Sequence, residues 1–181
     1  MVGSWTDWEL NETGREQAEH IGKNLSAELF GQNYKIFSSD LLRAMQTADP
    51  LARYLGVRTE PWQALREHNA GEAVGKSGEW ARANSKPLNS FDDRQFNGAE
   101  SWREFWNRVS GVCHDVLACE AENIVLVSHG VTLSVWQQIW SGLDITEFKY
   151  LGCPGGVSFF QVNNDGTRET LRLNDTKYMT E

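Results

Sequence analysis

Residues 124–127 read Ile-Val-Leu-Val, four consecutive aliphatic β-formers with no polar residue among them. A run of this kind fits a strand covered on both faces, as in parallel sheets flanked by helices. It stops abruptly at Ser128-His129-Gly130, and an apolar helical stretch follows over residues 131–141. A strand that feeds directly into a helix requires a layered α/β arrangement, because the two elements bury their apolar faces against each other.

The rest of the chain alternates in the same way. Ala18, Ile21, Leu25 and Leu29 share one face of a helix over residues 11–30, entered through Asn11 as N-cap or through a Thr13–Glu16 capping box. Residues 34–39 form a short strand. Residues 41–55 form a second helix, with Asp40 as N-cap and Gly56 placed to end it. Residues 57–62 are a weak strand limited by Pro61. Residues 64–100 are irregular and rich in Gly, Asn and Ser, with a short helix near residues 79–84. A stretch that long inside a compact domain is usually a functional loop region. Phe105, Val109, Val112 and Val116 mark one side of a helix over residues 101–121, capped by Glu100 or Ser101. "GVSFFQV" and "ETLRLN" flank "NNDG" as a hairpin. The order α-β-α-β-loop-α-β-α-β-β predicts a three-layer α/β/α fold, with a mostly parallel sheet and a C-terminal hairpin, over residues 1–181 as one domain. The alternation opens on a helix, where such folds usually open on a strand.

Charge and cysteine content narrow the partners. A net charge of −8 and a pI near 5.0 exclude a general affinity for nucleic acid or anionic membrane, which need a basic face. A few local Arg and His residues can still build a positive pocket for a small phosphorylated molecule. Cys113, Cys119 and Cys153 have no metal-ligand spacing, and an odd, low count suits a reducing cytoplasm. No apolar run approaches the ~18 residues of a transmembrane helix, and the polar, acidic N-terminus does not read as a signal peptide.

Ligands of open α/β sheets sit outside the carboxyl ends of the strands. His129 stands at such an end, and Gly130 allows close backbone approach to a ligand. A structural, buried histidine is the other reading of His129. Ser128 and His129 do not form a nucleophile pair, since neighbours alternate across a strand. Arg43 falls in the first turn of its helix, where the macrodipole disfavours a cation unless an anion is met there. Glu67 and His68 lie among glycines in "ALREHNAGEAVG", where a carboxyl group held beside a phosphate can stay protonated and donate to a leaving oxygen. His68, Glu72 and His129 could instead ligate a metal, although their spacing matches no known ligand pattern.

Taken in order, "GSWTDWELNETGREQA", "SSDLLRAMQTA", "LREHNAG", "GAESWREFWNRV", "VLVSHG" and "LNDTKYM" resemble segments of the histidine phosphatase superfamily, the phosphoglycerate mutase-like fold. The resemblance implies a metal-independent phosphomonoesterase working through phosphohistidine, with no cofactor, on a small phosphorylated metabolite. It implies that Arg43 binds the phosphoryl oxygens, that His129 stabilises the transition state and that Glu67 is the general acid. Ser4, His68 and Gly130 would join Arg43 in contacting substrate. Residues 72–98 would form a lid, in which Trp80, Arg82 and Arg94 either select the leaving group or are ordinary surface residues. Ala70 and Val131 stand where mutases of this fold carry Tyr and Asn, which favours a phosphatase over a mutase. The family's nucleophile, a histidine in an Arg-His-Gly motif ending the first strand, has no counterpart before Trp5. The expectation is therefore a chain truncated relative to the family, inactive as it stands, with one edge of the 123–128 strand unpaired. A non-catalytic module that binds phospholigands is the remaining alternative.

Overall fold

The computed structural model describes residues 1–180. The elements are α1 (Glu12–Glu28), β1 (Lys35–Ser38), α2 (Leu42–Leu55), β2 (Thr59–Pro61), α3 (Gly78–Asn84), α4 (Trp102–Ala118), β3 (Ile124–Val127), α5 (Gly130–Trp140), β4 (Val157–Val162) and β5 (Arg168–Asp175). This is the order expected from the sequence. β1 lies between β2 and β3, and both pair with it in parallel. β4 and β5 form an antiparallel hairpin.

The period-2 alternation of the strands sorts the core into two layers. Ile36 of β1 and Val125 and Val127 of β3 pack with α1 and α2. Phe37 of β1 and Leu126 of β3 pack with α4 and α5 on the opposite face. β4 divides in the same sense: Val157 and Phe159 join the first cluster and Phe160 the second. The hairpin therefore continues the sheet layer, although no ladder joins it to β3. Among the described residues β3 pairs with β1 alone, and all four of its aliphatic residues are only half-buried.

The helix termini follow local chemistry, with one correction. Asn11 is the N-cap of α1, its Oδ1 accepting from Gly14 N–H at 2.8 Å. Ser101 caps α4 in a full capping box with Glu104, worth about 1 kcal/mol at a site of this kind. Gly56 ends α2 in the left-handed conformation at φ 70°. Asp40, however, is not the cap of α2. That helix starts one residue after Leu41, and its Leu42 N–H donates to Asp7 Oδ1 at 2.8 Å. Asp40 instead pairs bidentately with Arg66, both bonds at 2.7 Å. A guanidinium fork offers a carboxylate two parallel bonds from a charged donor, where a helix N-terminus offers uncharged N–H groups.

α1 and α2 approach closely enough to demand glycine at their crossing. A Cβ on Gly22 would stand 2.6 Å from Pro50 Cβ and 2.7 Å from Leu51 N. The C-terminal segment is fastened to α1 by Glu28, which accepts from Tyr178 Oη at 2.6 Å and also pairs with Arg172 and Lys177. Those donors, Tyr178 foremost, pull the Glu28 carboxyl down to about 2.

Candidate active site

The carboxyl ends of β1 and β3 lie side by side, since Ser38 is in register with Val127. Each strand hands its chain to a helix at that edge. Ser39 and His129, the residues just past the strands, meet there: His129 Nε2 lies 2.8 Å from Ser39 Oγ. His129 is buried, at 9% exposure. Burial first, then the positive charges of Arg43 and Arg108, push its pKa down to about 3, against the opposing pull of Asp40. The ring is therefore neutral at physiological pH.

His129 occupies the N-cap position of α5 but makes no side-chain cap bond. The cap comes from Glu67, far away in sequence. Glu67 Oε2 accepts from Val131 N–H at 3.1 Å, and Oε1 accepts from Thr132 N–H at 3.1 Å and from His68 N–H at 2.9 Å. Thr132 Oγ1 shares its proton between Glu67 Oε1 at 3.1 Å and Arg66 O at 2.9 Å. Oε1 is thus crowded with donors, while Oε2 takes one and retains a free lone pair. A carboxylate at this place also meets the positive end of the α5 macrodipole.

Arg43, in the first turn of α2, is half-buried and turned toward the N-terminal segment. Its Nη1 donates to Thr6 O at 2.7 Å and its Nη2 to Ser4 O at 2.8 Å. A guanidinium carries five N–H donors; among the described residues the other three make no hydrogen bond. Burial lowers the Arg43 pKa, and the carboxylates of Glu67 and Asp7 oppose that shift. The negative partners that offset the helix dipole here are backbone carbonyls and these two side chains.

Arg43, Glu67, His129 and Gly130 are thus brought to one edge of the sheet. Ser4 and His68 are committed elsewhere. Ser4 Oγ donates to His68 O at 2.6 Å and accepts from Ala70 N–H at 2.8 Å, with Ser4 itself at a left-handed φ of 44°. Its hydroxyl ties the N-terminal segment to the acidic loop. His68 turns away from the edge and stacks on Trp102 and Phe105. Its Nε2–H donates to Glu100 O at 3.1 Å, and burial lowers its pKa. It too anchors the acidic loop. Gly130 is close to Tyr150, whose Oη would stand 2.6 Å from a Cβ there.

The metal-ligand alternative loses its geometry. His68 faces the α4 aromatics, Glu72 accepts from Asn97 N–H and Nδ2–H, and His129 faces Ser39. Among the described residues no group of three or more His, Cys, Asp or Glu side chains is placed to hold a metal. In the 72–98 region, Arg94 is occupied by Ala99 O and Glu104, while Trp80 stacks on Phe96.

Several residues of this region carry no sequence signal for their role. Trp5 Nε1–H donates to Glu67 O at 2.7 Å, and the Arg66 guanidinium lies 4.7 Å over the Trp5 ring. Arg108 of α4 reaches the acidic loop from below. Only the adjacency of Arg66 to Glu67 hints at such a set.

The sequence profile of the histidine phosphatase superfamily (branch 1) matches residues 1–176. The chain belongs to that superfamily. It is 26% identical over 189 residues to phosphoserine phosphatase 1 of Hydrogenobacter thermophilus, covering 97% of this chain and 84% of that protein. It is 30% identical over 134 residues to the phosphoglycerate mutase-like protein 4 of Arabidopsis thaliana, covering 68% of this chain and 56% of that protein. Among solved structures, Bacillus stearothermophilus YhfR superposes with a TM-score of 0.80 at 21% identity, over 99% of this chain and 91% of that one. The mycobacterial glucosyl-3-phosphoglycerate phosphatase in complex with VO3 superposes with a TM-score of 0.78 at 21% identity, over 96% and 90%. These structural likenesses establish the histidine phosphatase fold. Among the described residues no helix is long and apolar enough to cross a membrane.

Proposed function

We propose that this chain binds the phosphoryl group of a small phosphate monoester, as the anion site of a metal-independent phosphatase of the phosphohistidine type. The observation that carries the proposal is the meeting of Arg43, His129 and Glu67 at the carboxyl ends of β1 and β3. Arg43 is pinned by two backbone carbonyls and has three N–H groups left for phosphoryl oxygens. With Nε2 accepting from Ser39 Oγ–H, the neutral His129 ring keeps one N–H, at Nδ1, for the same group without the cost of a buried charge. Glu67 Oε2 is the oxygen with room for a proton, so that is the atom from which a leaving alkoxide would be protonated. Phosphoserine phosphatase 1 is matched over 84% of its length and the mutase-like relative over 56% of its own, which favours ester hydrolysis over mutase chemistry. Ala70 and Val131, in place of the mutase Tyr and Asn, point the same way.

In this reading the 181 residues hold phosphate without turning it over. A nucleophilic histidine would need to face Arg43 and His129, and the other three are placed elsewhere. His20 lies on α1 with Nδ1 3.2 Å from Met179 O, His114 is exposed on α4 beside Asp115, and His68 is packed on aromatics. We propose a cytoplasmic location, which the odd, low count of three cysteines favours.

Thermal unfolding with and without inorganic phosphate or vanadate tests the binding step. The expected result is a rise in midpoint that survives a chelator and disappears in Arg43→Ala. Protection at 100 times the dissociation constant would be about 2.7 kcal/mol. Undiminished protection in Arg43→Ala, or protection that a chelator removes, would sink the proposal.

A further inference from the structure

The acidic loop around Glu67 is held almost entirely by groups outside it. Arg108, in the second turn of α4, spends all five of its N–H donors on this task. Its Nε and Nη2 bind Glu100 Oε1 and Oε2 at 2.7 and 2.8 Å. Its Nη1 donates to Ala64 O at 2.8 Å and Arg66 O at 2.9 Å, and Nη2 also donates to Glu67 O at 3.2 Å. Three loop carbonyls thus converge on one guanidinium. Glu100 completes the grip: its Oε2 accepts from Asn69 N–H at 2.8 Å, its backbone N–H donates to Asn69 O at 2.9 Å, and its carbonyl takes the His68 Nε2–H at 3.1 Å. Both side chains are largely buried, at 18% and 16% exposure. The Arg108 and Asn69 donors hold the Glu100 carboxyl below its usual range, although burial works in the other direction.

We propose that Arg108 and Glu100 are positioning residues for Glu67, a clamp that sets where its carboxyl group stands between the first turn of α5 and a bound phosphoryl group. The geometry divides the work. α5 grips the Glu67 carboxylate from the front, through Val131 and Thr132. The clamp and Trp5 grip its backbone carbonyl from behind. With the rear grip gone, the front bonds can persist while the backbone drifts, and Oε2 turns away from the phosphate. A lysine cannot replace Arg108, because an ammonium offers three donors from one point, not a planar fork spanning a carboxylate and three carbonyls.

This inference rests on the phosphate reading of the site, and the experiment separates the two. Inorganic phosphate is titrated calorimetrically into the 181-residue chain. The Glu67 carboxyl group stands beside the bound anion, so moving it changes the affinity. R108K and E100Q should each change the dissociation constant roughly tenfold. In the E67Q background the same substitutions should change it less than about twofold, since residues acting through one partner are not additive with its loss. E100Q is nearly isosteric and keeps the test open if R108K folds poorly. Equal changes in both backgrounds, or no change in either, would overturn the clamp while leaving the phosphate site intact. No phosphate binding by the unsubstituted chain would overturn the site and the clamp with it.

Discussion

Joining a β-strand that ends in Arg-His-Gly to Gly3 through a loop is expected to give a chelator-insensitive phosphatase, and to stabilise the chain in the same step. The basis is the state of β3. Four consecutive aliphatic residues are only half-buried, with a ladder on one edge alone among the described residues. β3 and β4 send alternate side chains into the same two clusters, so an added strand beside β3 would extend both core layers. Full burial of each aliphatic side chain is worth about 1.5–3 kcal/mol before the cost of ordering the new segment. A net gain of about 3 kcal/mol would raise the unfolding midpoint by about 6–12 °C in a chain of this size. The unextended chain, with an apolar edge open, should be poorly soluble or loosely packed and should show no turnover. The same extension with its histidine changed to alanine should restore the midpoint but not the activity. Hydrolysis of phosphate esters by the unextended chain would contradict this, and would hand the nucleophile's role to His20, His68 or His114.

The second large effect concerns Glu67. In the extended, active chain, Glu67→Gln should lower kcat/KM for alkyl phosphates by about 10²–10⁴, the range of positioned acid catalysis, and barely change it for p-nitrophenyl phosphate. A basic alkoxide needs a proton as it departs, whereas a nitrophenolate leaves without one. Gln keeps an oxygen for Thr132 and His68 but loses the bond from Val131 N–H, a change common to both esters, so the comparison between them isolates the proton. Equal slowing of both esters would mean that Glu67 acts only as the cap of α5.

Much of the fold is legible in the sequence because it depends on neighbours. Periodicity places α1 and α4, the capping box starts α4, and Gly56 ends α2 in the left-handed conformation it favours. The strand-to-helix turn at His129 likewise follows from a local pattern. What misleads is competition from distant groups. Asp40 has the sequence position of an N-cap, but Arg66, 26 residues on, offers it a bidentate partner, and Asp7, 35 residues before Leu42, takes the cap. Ser4 and His68 have the residue types of substrate ligands, and nothing local signals that they also anchor the acidic loop. Arg108 reads as one more charged residue on an amphipathic helix, and its carbonyl partners lie more than 40 residues away. A backbone carbonyl carries no signature of the side chain that will claim it.

The most direct test of the site is a crystal structure of the 181-residue chain with vanadate. Vanadate oxygens within hydrogen-bonding distance of the three unclaimed Arg43 N–H groups and of the His129 ring, with Glu67 Oε2 facing the anion, are the expected result. Vanadate bound away from Arg43 and His129, or a soaked crystal with neither side chain touching it, would contradict the assignment of a phosphoryl site to the ends of β1 and β3.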